Sequence, residues 1–71
     1  MSMYAGLTDD PNRRRVEHGS PVDWQVVGPF YLESQARDWE ASMLRQGYKG
    51  GTGGAGWRYG YTYSITYATI Q

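Results

Sequence analysis

The chain has 71 residues, no cysteine and one histidine, and its seven cationic and seven anionic side chains leave it without net charge. This composition predicts one small domain and excludes disulfides, a thiolate metal site and a histidine-rich zinc site. No apolar run reaches the ~18 residues of a membrane span, and no secretion signal is evident, so we expect a cytoplasmic protein without a membrane partner. Any site for a polyanion must be a local patch, because the overall charge provides no attraction.

A strand and a short helix are the first two predicted elements. Residues 2–8 predict a strand with a glycine at its centre. Asp10 is a favourable N-cap, and Pro11 suits the first helical position because its missing amide would have no partner there. The helix is therefore predicted to run from Pro11 to His18, with Gly19 as the left-handed residue that follows it.

A second strand and a second helix follow. The strand is predicted over residues 24–27, where Gly28-Pro29 ends it, and the helix over residues 32–46, where Gly47 ends it. Apolar residues recur along this helix at spacings of three and four, which is typical of one buried face: Leu32, Ala36, Trp39, Met43 and Leu44. Residues 49–56 contain five glycines and predict a flexible loop.

Residues 57–70 predict one long C-terminal strand, because large side chains alternate with small or polar ones. The large ones are Trp57, Tyr59, Tyr61, Tyr63, Ile65 and Tyr67. Since strands usually have about five or six residues, we expect this one to bend at Gly60 or to extend towards a partner. The element order β-α-β-α-β predicts an α+β domain with a three-stranded antiparallel sheet flanked by two helices. The tyrosines could form a structural face of the sheet or a stacking surface for bases.

The strongest motif begins at Tyr4-Ala5-Gly6 and continues through a turn into the first helix. Arg14 lies ten residues beyond Tyr4, and His18 lies fourteen residues beyond it. This segment resembles the second half of the GIY-YIG nuclease signature, in which Tyr-Ile-Gly is followed by a turn and a helix with an arginine pair. Both offsets agree with the family's catalytic arginine and with the histidine or tyrosine one turn after it. The resemblance implies an endonuclease in which Tyr4, Arg14 and His18 are catalytic.

Ala36 and Glu40 lie four residues apart in the second helix. This stretch is similar to the later helix of the family, where the same spacing provides a glutamate to a divalent metal. The resemblance, which covers residues 2–48, thus implies that Glu40 binds Mg²⁺ or Mn²⁺. The chain departs from the family in having Leu7 where some members have lysine, and in lacking a clear asparagine after the glutamate.

The family's first strand, which contains Gly-Ile-Tyr, has no counterpart ahead of Tyr4. The C-terminal strand offers a replacement, because Tyr63-Ser64-Ile65 has the Tyr-x-Ile spacing of that strand. A circular permutation of this kind would bring Tyr63 to the site, and Tyr59 and Tyr61 on the same face remain alternatives. Otherwise the strand is lost or a second subunit provides it.

The residue types suit the hydrolysis of a phosphodiester bond. Arg14 and His18 share one helix face, so both can point at one phosphate, and a guanidinium matches the phosphoryl oxygens. By the resemblance, Tyr63 or a neighbour, with Tyr4 beside it, would accept the proton of the attacking water.

Structural alternatives remain for each assigned residue. Arg13 and Arg15 could extend a nucleic-acid-binding patch with Arg14, or all three could form a solvated face. His18 could simply interact with the helix dipole, and Glu40 could pair with Arg37 or Lys49.

Three hypotheses for function follow from the sequence. The first is a divalent-metal-dependent endonuclease that acts on nucleic acid, most simply DNA. The second is an inactive binding module that forms homodimers through the open edge of the C-terminal strand. The third comes from the segment between Trp24 and Tyr48, which resembles one half of a peptidoglycan-binding SPOR repeat and would require a second copy and a secretion signal.

Overall fold

The computed structural model describes residues 2–51 and 56–71. Within them the elements are β1 (Met3–Thr8), α1 (Pro11–Glu17), β2 (Gln25–Val27), α2 (Glu33–Arg45) and β3 (Tyr59–Ser64). The predicted α+β class and the order β-α-β-α-β are confirmed. Part of the loop predicted at 49–56, residues 52–55, lies outside the described residues. In the described part of the chain, no helix is long and apolar enough to cross a membrane.

The last strand occupies the centre of the sheet. The strand order is β1-β3-β2, and β3 pairs antiparallel with both neighbours. In this register Tyr63 lies opposite Tyr4, and Tyr61 lies opposite Gly6. The topology thus places the tyrosines of β3 beside the strand that carries the Tyr4-Ala5-Gly6 motif.

The prediction of one strand over 57–70 is wrong in its length, because β3 ends at Ser64. Beyond Ile65, the chain turns, and Thr66 N–H donates to the hydroxyl of Thr69 at 2.9 Å. Such hydroxyls offer the backbone local hydrogen bonds that compete with continued pairing in the sheet. Tyr67, the last tyrosine of the alternating series, is therefore fully exposed in the turn.

The predicted homodimer contact also needs correction. β3 pairs with β1 along all six residues on one side and with β2 at 60–62 on the other. Because both sides are paired, β3 does not offer the open edge that this mode of dimerisation requires.

The helix ends follow the local signals in the sequence. Asp10 caps α1 by accepting a hydrogen bond from the Arg13 N–H at 3.1 Å, and Pro11 is the first residue of the helix. Gly19 follows α1 with φ of +86°, and Gly47 follows α2 with φ of +99°. Both helices are therefore confirmed to within one residue at each end.

The two faces of the sheet have different partners. Tyr4, Tyr61 and Tyr63 lie on one face, which we call the tyrosine face, and His18 at the end of α1 packs against it. Gly60 points to the opposite face, where a Cβ would come within 2.6 Å of the Trp39 ring of α2. We call this second side the α2 face.

Candidate functional site around His18

Four side chains on the tyrosine face form a compact group, which we call the tyrosine–histidine cluster: Tyr4, His18, Tyr61 and Tyr63. The hydroxyl of Tyr61 lies 2.8 Å from His18 Nε2, and the hydroxyl of Tyr63 lies 2.8 Å from His18 Nδ1. The ring centroid of Tyr4 is 5.1 Å from those of both His18 and Tyr63. The structure thus brings together Tyr4, His18 and Tyr63, and it includes Tyr61 as well.

A glycine in β1 makes room for this arrangement. Gly6 lies opposite Tyr61 in the register, and the Tyr61 ring crosses above it. A Cβ at Gly6 would come within 2.6 Å of Tyr61 Cζ, so no larger residue fits without moving the tyrosine. The glycine of the Tyr4-Ala5-Gly6 motif is therefore required by the packing of the cluster.

The hydrogen bonds around His18 determine which ring nitrogen carries the proton. Nδ1 contacts the backbone carbonyl oxygen of Ile70. Since a carbonyl oxygen can only accept, Nδ1 must carry the proton, and in the neutral ring Nε2 then accepts from the Tyr61 hydroxyl. Both nitrogens of this buried histidine are therefore satisfied while the ring is neutral.

Burial controls the ionisation of the two tyrosines in β3. Tyr61 is 2% exposed and Tyr63 is 0% exposed. Burial raises the pKa of Tyr63 to about 12. Burial also raises the pKa of Tyr61, and the positive charge of Arg14 opposes that rise. Both phenols therefore hold their protons at neutral pH. Tyr4 is only partly buried and is the most accessible tyrosine of the cluster.

Arg14 lies at the solvent side of the cluster. Its side chain is 43% exposed, and Nη1 donates to Glu17 Oε1 at 3.0 Å. The pKa of Arg14 is raised first by this hydrogen bond and further by its proximity to the Tyr61 and Tyr4 phenols. Arg14, which the resemblance implies is catalytic, therefore lies next to the cluster and is accessible to a ligand.

The other two arginines of α1 point in different directions. Arg13 is 77% exposed and shares the Glu17 carboxylate with Arg14. Together they line a pocket of about 290 Å³ beside Thr8 and Asp10. Arg15 instead donates twice to the Pro21 carbonyl, at 3.2 and 3.0 Å. The structure therefore groups Arg13 with Arg14 and binds Arg15 to the following loop.

Glu40, the predicted metal ligand, does not join the cluster. It is 2% exposed in α2, the helix that packs on the other face of the sheet, and its Oε1 lies 3.6 Å from Arg37 Nη1. Burial raises the pKa of this carboxyl, and the charge of Arg37 opposes the rise. The ion pair with Arg37 is one of the alternatives that the sequence left open.

The predicted metal ligand and the tyrosine–histidine cluster lie on opposite faces of the sheet. No group of three or more histidine, aspartate or glutamate side chains among the described residues could hold an ion. A single carboxylate on the α2 face is separated by the sheet from Tyr4 and Arg14. Binding of Mg²⁺ or Mn²⁺ remains a prediction of the resemblance, and we assign no chemical step to it.

Two contributors to the cluster carry no signal in the sequence. The Trp24 ring stacks on Tyr61, with centroids 4.4 Å apart and planes 19° apart, although the sequence predicts only that Trp24 begins a strand. The carbonyl of Ile70 reaches His18 because the chain turns back after β3. A backbone carbonyl leaves no trace in a pattern of side chains, so this contact could not be predicted.

Comparison of the chain with family models, with curated proteins and with solved structures gives no match.

Proposed function

We propose that this protein is a GIY-YIG-type domain that binds the phosphodiester backbone of nucleic acid, most simply DNA, and cleaves it as an endonuclease. The observation that carries the proposal is the meeting of Tyr63 and His18, 2.8 Å apart although they are 45 residues apart in the chain. Tyr63 also lies directly opposite Tyr4 in the sheet. A permuted domain, whose last strand replaces the family's first strand, requires this arrangement.

The accessible residues of the site suggest a division of roles. The Arg14 guanidinium would bind the non-bridging oxygens of the phosphate and stabilise the charge that develops on them. The neighbouring Arg13 would hold an adjacent phosphate of the same strand. As a phenolate, Tyr4 would accept the proton of the attacking water, because Tyr4 is partly exposed whereas Tyr61 and Tyr63 are buried, and the leaving oxygen would take its proton from solvent. A reaction on nucleic acid suits the cytoplasmic location predicted from composition.

A second candidate function has specific support. The burial of Tyr63 and the position of Glu40 on the α2 face favour a domain that binds nucleic acid without hydrolysing it. Arg13 and Arg14 would then be sufficient for function, and the cluster would serve as an aromatic core on that side of the sheet.

Plasmid nicking and DNA binding, measured on the same preparations, test both candidates. Wild type, Arg14→Ala and Arg45→Ala are incubated with supercoiled plasmid in Mg²⁺, Mn²⁺ or EDTA, and a labelled duplex reports binding by fluorescence anisotropy. Arg45 is the matched control, because it is exposed in the last turn of α2. Circular dichroism verifies that all three proteins are folded.

For an endonuclease we expect nicking by wild type and by Arg45→Ala, and a loss of about a hundredfold or more in Arg14→Ala. Equal nicking by all three proteins would indicate a contaminating nuclease and overturn the assignment of Arg14. Binding that depends on Arg14, without nicking by wild type, would select the second candidate. An absence of both binding and nicking in folded wild type would overturn both.

A further inference from the structure

The segment formed by residues 66–71 is held in place by the histidine of the candidate site. The Ile70 N–H donates to the His18 backbone carbonyl at 2.9 Å. In the opposite direction, the Ile70 carbonyl accepts from His18 Nδ1, and the Tyr63 hydroxyl donates to it at 3.4 Å. Ile70 is thus bonded through both of its backbone polar groups to the tyrosine–histidine cluster.

The contact to the Ile70 carbonyl has the geometry of a site for one oxygen atom. An N–H of His18 and an O–H of Tyr63 converge on the same acceptor. Both donors are buried, with His18 5% exposed and Tyr63 0% exposed, so a competing water molecule has little access. The His18 N–H and the Tyr63 O–H, which are surrounded by aromatic rings, can bind a carbonyl oxygen or a phosphoryl oxygen. Either oxygen has lone pairs and no proton.

The rest of the segment is loosely packed. Tyr67 is fully exposed and the Ile70 side chain is 62% exposed. A cavity of about 240 Å³ lies between the segment, at Thr66, Ala68 and Thr69, and the loop that follows α1. Few apolar contacts therefore oppose release of the segment from the cluster.

We propose that the segment 66–71 is an internal competitor of the substrate. The Ile70 carbonyl occupies the oxygen site of His18 and Tyr63, and a non-bridging phosphate oxygen of bound nucleic acid takes that site when the segment leaves. This inference rests on the proposed function and adds a closed state to it. It also gives a role to the Tyr63 hydroxyl, which donates to the Ile70 carbonyl in the closed state.

Gly19 offers a way to displace the segment. A Cβ at Gly19 would collide with the Ala68 carbonyl oxygen, and φ at this residue is +86°. Gly47 is the matched control, because its φ is +99° and a Cβ there meets nothing within 4 Å. Gly19→Ala and Gly47→Ala therefore impose the same kind of backbone strain after a helix, but only the first pushes on the segment. Ile70→Pro is a second displacing variant, since it removes the N–H that donates to His18.

Tyrosine nitration with tetranitromethane, followed by mass spectrometry, reports the closed state without any need for activity. Tyr67 is an internal reference, because it is exposed in the structure. We expect Tyr63 to be protected in wild type and in Gly47→Ala, and to react in Gly19→Ala and Ile70→Pro while Tyr67 reacts equally in all. Anisotropy with a labelled single-stranded oligonucleotide then measures binding, and we expect affinity to rise about tenfold in the displacing variants if the open form is about a tenth of the wild-type population.

The outcomes separate the two proposals. Protection of Tyr63 in both displacing variants would show that the segment does not cover the cluster, and would overturn this inference alone. Exposed Tyr63 without tighter binding, in a protein whose wild type binds the oligonucleotide, would also overturn the inference and leave the proposed function intact. Exposed Tyr63 in proteins that never bind nucleic acid would overturn both.

Discussion

At the scale of single residues, His18 lies between the phenols of Tyr61 and Tyr63. Each hydroxyl contacts a different nitrogen of the ring, so the two tyrosines are not interchangeable. The Tyr61 hydroxyl donates a hydrogen bond to the buried Nε2, and the Tyr63 hydroxyl lies 2.8 Å from Nδ1. A buried acceptor that loses its donor costs about 1–3 kcal/mol. The two tyrosines are therefore part of the stability of the domain as well as of its candidate site.

Tyr61→Phe tests this role. We expect the free energy of unfolding to fall by about 1–3 kcal/mol, because Nε2 of His18 loses the hydrogen bond that the Tyr61 hydroxyl donates to it. Urea denaturation followed by tryptophan fluorescence measures the change. Tyr67→Phe is the control, since Tyr67 is fully exposed, and its denaturation midpoint should equal that of wild type. Equal midpoints for both variants would contradict the hydrogen-bond assignment.

The raised pKa of Tyr63 predicts a loss of stability in alkali. Its ordinary pKa is 10.0, and in the folded protein the value is about 12. Between these values the folded state binds more protons than the unfolded state, so the free energy of unfolding falls as pH rises from 10 to 12. Chemical denaturation at pH 8, 10 and 11 measures this slope, and Tyr63→Phe should make it shallower. An unchanged slope in the variant would show that Tyr63 ionises alike in both states.

At the scale of elements, the close approach of α2 to the sheet depends on Gly60. A Cβ there would lie 2.6 Å from the Trp39 ring, and overpacking of this kind costs about 1–3 kcal/mol. We therefore expect Gly60→Ala to lower the melting temperature in calorimetry. A Cβ at Gly51 meets nothing within 4 Å, so Gly51→Ala should leave the melting temperature near that of wild type. An unchanged melting temperature in Gly60→Ala would mean that α2 can shift away from β3.

Glu40 gives α2 a second test. Its pKa is raised above 4.5 by burial, so the unfolded state loses this proton first and stability falls as pH rises through the pKa of the folded carboxyl. Glu40→Gln removes the cost of burying an ionised carboxylate. We therefore expect this variant to be stabilised at pH 7 more than at pH 4. Calorimetry at both pH values measures the difference. A rise in melting temperature with Mg²⁺ in wild type that Glu40→Gln abolishes would instead assign Glu40 to a metal.

The elements also show which information a sequence contains about this fold. Asp10, Pro11 and Gly19 act through neighbouring residues, so the bounds of α1 could be predicted closely. The period of α2 correctly places Ala36 on the buried side of the helix, but a period cannot tell which face of a sheet that side meets. The alternation in 57–70 likewise continues beyond Ser64, where turn hydrogen bonds end the strand.

At the scale of the whole molecule, charge is balanced overall and concentrated locally. Arg13 and Arg14 line one pocket, while Arg15 is bound to the Pro21 carbonyl. If only Arg13 and Arg14 contact phosphates, a plot of the logarithm of affinity against the logarithm of salt concentration should have a slope of about −2. Anisotropy at several salt concentrations measures it, and Arg13→Ala should make the slope shallower by about one. A much steeper slope would mean that cations outside this pocket also bind nucleic acid.

The position of β3 at the centre of the sheet has a consequence for biosynthesis. Among the three strands, β1 and β2 each pair with β3 and not with each other. While the ribosome is still making the chain, neither can pair with its partner strand until residues 59–64 have emerged, and β1 has only its bridge to Lys49. The cost of closing the long loop from β1 to β3 must be met before any pairing compensates for it. A nascent chain that stalls before residue 59 therefore has β1 bonded only to Lys49 and β2 without a partner strand, and the sheet forms only after its third strand has been translated.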